Sequence, residues 1–375
     1  MTTALKAKRI FTGDRLLIDH AVIIAGKIIE DIVPVGEIAI AHDVKDLGDS
    51  ILAPGFIDVQ VNGGGGVNLN DTPTAAGVIT MVEAHRRFGT TGMLPTVITD
   101  MPEVQQQAVN AVAEARKQRP QVLGVHIEGP FLDPARKGAH DEKLIRSLMP
   151  QDIAWLTSIK CGEVLLTLAP NKVSPADIKH IVDAGVHVSL GHAEAKAVEV
   201  NAALQAGASA FTHLFNAMSQ LGNREPGMVG AALTADQAYV GLIADGFHVH
   251  EQSLKLAFAA KRHDHIMLVT DAMCTAAGGP DHFTLQGREV RLKSGRLELP
   301  DGTLAGSNLT MDEAVRFCVK RCGIKLESAL GMASTNPAQF LGLGARLGRI
   351  APGYLASLVN LDPELHVKQT WVEGQ

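Results

Sequence analysis

The sequence predicts an α/β protein: a (β/α)8 barrel of the TIM type with a small β-sandwich domain formed from both termini. Three observations lead there. Eight short apolar runs recur between residues 56 and 271, helix-length amphipathic stretches separate them, and both chain ends read as strands and turns. Apolar runs of strand length that do not alternate with polar residues belong to strands covered on both faces, as in a parallel sheet. Eight of them in series close a barrel, with an open doubly wound sheet as the alternative.

The first fifty residues contain the strand-like segments Arg15–Ile18, Ala21–Ile24 and Lys27–Val33, with Gly13-Asp14 and Ala25-Gly26 as turns. The stretch from about Gly348 to Trp371 has the same character. Residues 1–52 and 348–375 are therefore expected to form the small domain, and 53–347 the barrel. The barrel runs are FIDVQV (56–61), GMLPTVI (92–98), VLGVHI (122–127), VLLTLA (164–169), HVSLGH (187–192), AFTHLF (210–215), YVGLIA (239–244) and HIMLVTD (265–271). Helices are expected at Ala75–Phe88, Pro102–Arg116, Pro175–Ala184, Ala195–Ala206 and Glu251–His263.

Bulk composition narrows the function. The 375 residues are 46% hydrophobic and 20% charged, with net charge −6 and 4% aromatics. Nucleic acid and anionic membranes require a basic face, and base stacking requires aromatics, so neither partner is expected. Cys161, Cys274, Cys318 and Cys322 are too few and too scattered for a disulfide framework and read as buried thiols. The N-terminal segment MTTALKAKRIFTGDRLLIDH has no apolar core of signal-peptide type, and no later stretch approaches ~18 uncharged apolar residues. The expected location is the cytoplasm.

The run Gly63–Gly66 follows the first strand. A dinucleotide loop needs G-x-G-x-x-G opening a helix, whereas these glycines are consecutive and Pro73 precedes the next helix. They read as a loop leaving the C-terminal end of the first strand.

Those strand ends carry the chemistry. In a closed barrel they share one mouth, where active sites form. They supply Gln60 and Asn62, then Glu128, His192, His213 with Asn216, the segment ADGFHVH, and Asp271. Glu128, His192 and His213 form an oxygen-plus-two-imidazole set suited to Zn2+, leaving one position for a water that ionises near neutral pH. Asp271 is placed to accept its proton. Of the 15 histidines, His20, His42, His85, His180, His263, His282 and His366 read as ordinary core or surface residues. His126 lies two residues before Glu128 and suits a supporting or substrate role. His187 and His265 begin their strands, at the opposite end of the barrel.

The strings HIEGPF, KGAH, LGH, THLFNAM, DGFHV, VTDAM and GTLAGS, between an APGFID entry and a GRIAPG return, closely resemble the N-acetylglucosamine-6-phosphate deacetylase family of the amidohydrolase superfamily. The resemblance implies hydrolysis of N-acetylglucosamine 6-phosphate to glucosamine 6-phosphate and acetate. It implies one divalent metal per subunit, Zn2+ foremost, with Fe2+, Co2+ and Mn2+ as alternatives. Asp271 would act as general base and then as acid, and His140 would polarise the acetyl oxygen. Substrate contacts would fall on Ala139, His140, Asn216, Ala217, Asp245, Gly246, Phe247, His248, Leu304, Ala305 and Gly306. Arg224 and His248 would meet the phosphate, Arg224 from across a homodimer interface. Most amidohydrolases carry His-x-His at the end of the first strand for a second metal. Here Gln60-Val61-Asn62 stands in its place, and amides are poor ligands, so that subsite reads as vacated. The rival readings are a hydrolase for a cyclic amide or another N-acyl amino sugar, and a non-catalytic assembly protein built on the same barrel.

Overall fold

A computed structural model describes residues 2–375. Eight parallel strands form one sheet in chain order: β1 (Phe56–Val61), β2 (Thr90–Ile98), β3 (Gly124–Glu128), β4 (Glu163–Leu168), β5 (His187–Leu190), β6 (Ala210–Phe211), β7 (Tyr239–Leu242) and β8 (Ile266–Leu268). The ends of β1 and β8 meet through a parallel bridge between Val61 and Ala272. The Asp271 N–H donates to the Gln60 carbonyl at 2.9 Å, and the Asn62 N–H donates to the Ala272 carbonyl at the same distance. The sheet therefore closes into a barrel. β1 is buried along its whole length, which is why its sequence shows no polar alternation apart from site residues.

β6 is much shorter than the apolar run at 210–215. The chain enters the left-handed backbone region at His213 (φ 34°), Phe215 (φ 80°) and Ala217 (φ 51°), so strand geometry stops two residues in. Helices fall on the expected stretches, at Ala75–Arg86, Pro102–Gln118, Pro175–Asp183, Ala197–Gln205 and Glu251–Ala260. The first starts where the Thr74 side chain accepts the Gly77 N–H. Gly227–Thr234 is a further helix, buried from Gly227 to Leu233, so no amphipathic stripe announces it.

An insertion between the last barrel strand and the helix Met311–Lys320 forms a separate antiparallel sheet: β9 (His282–Leu285), β10 (Arg288–Lys293), β11 (Arg296–Glu298) and β12 (Leu304–Ser307). Gln286-Gly287 and Ser294-Gly295 make its first two turns, all four residues with positive φ, as tight two-residue hairpins require. Its small core joins Leu285, Val290 and Leu297 to Ile98 and Met273 of the barrel mouth.

In the small sheet Val367–Trp371 pairs with Leu358–Leu361, which pairs with Ile51–Pro54, and the order continues through Thr2–Phe11, Leu16–Ala25 and Ile28–Pro34. Leu16–Ala25 is one strand passing through Asp19 (φ 53°), where the sequence suggested two pieces. Ile51–Pro54 leads into β1 through the single residue Gly55. Among the described residues no helix is long and apolar enough to cross a membrane.

Gly124 opens the strand that carries Glu128 and lies opposite Glu163 of β4. A Cβ there would stand 1.8 Å from the Glu163 carbonyl oxygen, a backbone atom that cannot rotate away. Gly124→Ala is expected to lower the unfolding free energy by about 1–3 kcal/mol or more, read from denaturant midpoints. An unchanged midpoint would contradict this close approach.

Candidate active site

Three of the four strand-end residues sit in left-handed backbone: His192 (φ 49°), His213 (φ 34°) and Asp271 (φ 52°). That conformation costs a non-glycine residue on the order of 1–2 kcal/mol. It marks where the chain leaves each strand and turns a side chain into the mouth, and such strain concentrates at functional sites. Glu128 is the last residue of β3.

Glu128 Oε1 lies 3.1 Å from His192 Nε2 and 3.1 Å from His213 Nε2, and the two imidazole nitrogens are 3.0 Å apart. Three donors in a near-equilateral triangle are what a single small cation needs, since ligands ~2.0–2.1 Å from a tetrahedral Zn2+ stand roughly 3.3 Å from one another. His192 Nδ1 is 3.0 Å from the Arg136 carbonyl. A carbonyl only accepts, so Nδ1 carries the proton and Nε2 presents its lone pair to the triangle. His213 Nδ1 is buried without a partner. Burial opposes charge on Glu128, but the two imidazoles beside it hold its carboxyl well below the usual range. The donor set thus fits a borderline cation, with one carboxylate held ionised. His140 joins Glu128 and His192 in a looser group with donor atoms within 4.8 Å of one another. The tight triangle is the better ligand set, because His140 Nδ1 is already 2.7 Å from Thr99 Oγ1.

The side-chain amides of Gln60 and Asn62 donate to the two carboxylates. Asn62 Nδ2 gives a 2.6 Å hydrogen bond to Asp271 Oδ1. Gln60 Nε2 reaches Asp271 Oδ1 at 3.3 Å and both Glu128 oxygens at 3.2–3.3 Å. Burial and the nearby Glu128 charge raise the Asp271 pKa, the direction that suits a proton carrier. Beneath, Asp58 accepts from Thr270 Oγ1 at 2.6 Å and from the Gln60 N–H at 3.1 Å, and burial pushes its carboxyl up to about 7.

The glycine run is the seam that holds these groups together. Gly63 donates to Ala272 O at 2.8 Å, Gly65 to Ala276 O and Gly66 to Cys274 O at 2.9 Å, and His85 Nε2–H donates to Gly63 O at 2.8 Å. A Cβ on Gly63 would lie 2.6 Å from the Cys274 nitrogen, and one on Gly64 2.4 Å from His85 Nε2. The glycines allow two backbones to touch; they do not line the cavity.

The cavity at the mouth has a volume of about 290 Å³. Its wall includes Asn62, Glu128, His192, His213 and Asp271, with Ala139, His140, Asn216, Ala217, His248, Leu304, Ala305 and Gly306 among the expected substrate contacts. Asp245, Gly246 and Phe247 are outside it, contrary to expectation. Asp245 accepts from His248 Nδ1 at 2.6 Å and from two backbone N–H groups at 2.8 Å, so it aims His248 rather than meeting a ligand. Gly246 packs on Phe317, and the exposed Phe247 ring lies under Arg296. Arg224 is on an exposed arm, Gln220–Glu225, away from its own chain's cavity. His126 sits below the triangle, 2.7 Å from Thr167 Oγ1 in a buried chain with Thr212 and Ser189, and burial pushes it down to about 4. Three residues absent from the expected site support the His140 segment: Thr99 meets the His140 ring, Gln286 donates to the Thr99 carbonyl and Arg288 to that of Ala139. Their signal was the pattern of Gln-Gly, Ser-Gly and Asp-Gly turns between short alternating runs at 282–304.

A closed parallel barrel with an oxygen-plus-two-imidazole triangle and a carboxylate at its mouth defines a metal-dependent hydrolase architecture. The profile of the amidohydrolase family matches residues 51–375, and that of the NagA composite domain matches 4–52. The N-acetylgalactosamine-6-phosphate deacetylase of Shewanella sp. (strain ANA-3) is 45% identical over 86% of this chain and 82% of its own. The N-acetylglucosamine-6-phosphate deacetylase of Haemophilus influenzae is 36% identical over 98% and 97%. A crystal structure of N-acetylglucosamine-6-phosphate deacetylase from Pasteurella multocida superposes with a TM-score of 0.97 at 35% identity, covering 100% of this chain and 99% of that one. The chain belongs to the amidohydrolase family.

Proposed function

We propose that the protein deacetylates an N-acetylhexosamine 6-phosphate, converting N-acetylglucosamine 6-phosphate to glucosamine 6-phosphate and acetate. The observation that carries this reading is the facing of the Glu128–His192–His213 triangle and Asp271 across one cavity. Glu128, His192 and His213 would hold one divalent cation, Zn2+ by donor type. When bound, it supplies Lewis acidity, which makes water acidic and polarises an amide carbonyl. The rest falls to the chain's own groups. Asp271 Oδ1 is occupied by the Asn62 and Gln60 amides, which leaves Oδ2 to take the proton from the attacking water. The same oxygen returns that proton to the sugar nitrogen as the C–N bond breaks, releasing a neutral amine and acetic acid, whose remaining proton passes to solvent to leave acetate. Burial pushes His140 down to about 3, so the ring is neutral and donates one N–H to the oxyanion developing on the acetyl oxygen. His248, aimed by Asp245, would meet the phosphate.

The C4 epimer is a second reading, favoured by the name of the 45% identical Shewanella relative. We further propose a homodimer in which Arg224 serves the partner's site. Support comes from the exposed arm, anchored where Glu225 Oε1 accepts the N–H groups of Ala197 (2.8 Å) and Gly227 (3.1 Å). A cytoplasmic setting is supported by four buried, unpaired cysteines.

Acetate release from both 6-phosphorylated epimers and their unphosphorylated forms tests the reading; none from any would refute it. Asp271→Asn should keep fold and metal while losing roughly a thousandfold in kcat, since an amide cannot carry the proton. Retention of a tenth of wild-type kcat would remove Asp271 from the role.

Arg224→Ala should raise KM for the 6-phosphate and affect the unphosphorylated sugar less, a loss of about 2–3 kcal/mol in kcat/KM. Mixed with Asp271→Asn, it should regain activity as subunits exchange, because one hybrid site has both groups intact. Equal losses on both sugars would rule out phosphate contact, and exchange without recovery would rule out sharing.

A further inference from the structure

We infer that the first hairpin of the insertion is a positioning element for His140, acting through Gln286 and Arg288; the inference rests on the proposed reading in which His140 faces the acetyl oxygen. His140 lies in a segment with no ladder of its own, between the short 3-10 turns Pro134–Arg136 and Glu142–Leu144. Its place must come from outside contacts. Two of them arise from one hairpin. Gln286 Nε2 donates to the Thr99 carbonyl at 2.7 Å, and Arg288 Nη2 donates to the carbonyl of Ala139, the residue that precedes His140. Thr99 Oγ1 in turn lies 2.7 Å from His140 Nδ1.

The hairpin thus grips the histidine from its own backbone and from its side-chain partner. Thr99 Oγ1 is 3.4 Å from the Glu128 carbonyl but 2.7 Å from His140 Nδ1. An oxyanion donor needs the ring proton on Nε2, and that tautomer requires the Thr99 hydroxyl to donate to Nδ1 over the shorter contact. Neither Gln286 nor Arg288 lines the cavity. Among the described residues Arg288 has no carboxylate partner; beyond Ala139 its side chain hydrogen-bonds there to the Gln286 side chain, at 3.5 Å. A half-buried arginine spent on a backbone carbonyl is explained if that carbonyl must not move. The turn, with Gln286 at φ 49° and Gly287 at φ 80°, is tight enough to hold both donors at fixed spacing.

The test uses the metal-loaded enzyme. Wild-type acetate release from the N-acetylhexosamine 6-phosphates comes first: its absence refutes the proposed function, and with it the premise for this role. With wild-type activity in hand, Arg288→Ala should lower kcat by about 10- to 100-fold, with KM within about twofold and metal content unchanged. Combined with His140→Ala, Arg288→Ala should add no further loss, because it acts through a group already removed. Arg288→Lys should restore part of kcat, since an ammonium can still donate to the carbonyl. Where Arg288→Ala does not fold, Gln286→Glu, which replaces the donor at Thr99 with an acceptor, should show the same kcat loss and the same lack of additivity. Losses that add to those of His140→Ala, or a raised KM for the 6-phosphate at unchanged kcat, would overturn the inference.

Discussion

Two carboxylates, the buried Glu128 and the half-buried Asp271, share one barrel mouth, and Gln60 Nε2 lies within 3.3 Å of both. Like charges that close in a water-poor site oppose each other's ionisation. A site with two cations would neutralise them with metal. Here N–H donors meet them: the Gln60 amide bridges the pair and the Asn62 amide fixes Asp271. The glycine seam between 63–66 and 272–276 exists to keep the first and last strands at that spacing. Bulk on those glycines would separate the amides from the acid they hold.

The strand ends were legible in the sequence because barrel topology brings every one to the same face, so residue type alone selected Glu128, His192, His213 and Asp271. The Gln60-Val61-Asn62 departure was legible for the same reason. What the amides do there was not, since hydrogen bonds between strands 1 and 8 depend on closure. The two-residue sixth strand escaped as well. AFTHLF is apolar enough to read as a strand, but backbone strain at His213 and Phe215 is not written in hydrophobicity. Asp245 misled for a different reason: a carboxylate beside a binding histidine looks the same in sequence whether it touches substrate or orients the imidazole.

The insertion gives the mouth a third layer. Barrel strand ends carry Glu128, His192, His213 and Asp271, whereas His140 hangs in a loop, held by Thr99 and, through Thr99 and Ala139, by the hairpin tip. Under the proposed function, chemistry at the acetyl group is blind to the sugar's C4 hydroxyl, so the same triangle and acid would serve both epimers named among the relatives. Discrimination between them would then belong to the cavity wall, where β12 supplies Leu304 to Gly306.

The account stands on one cation per chain, with amides replacing the second. Its most direct test is to strip the protein of metal, add Zn2+ in fractional equivalents, and follow acetate release from the 6-phosphorylated sugar. Activity should rise linearly and stop at one equivalent per chain. A rise that continues to a second, equally tight equivalent would contradict the role given to Gln60 and Asn62.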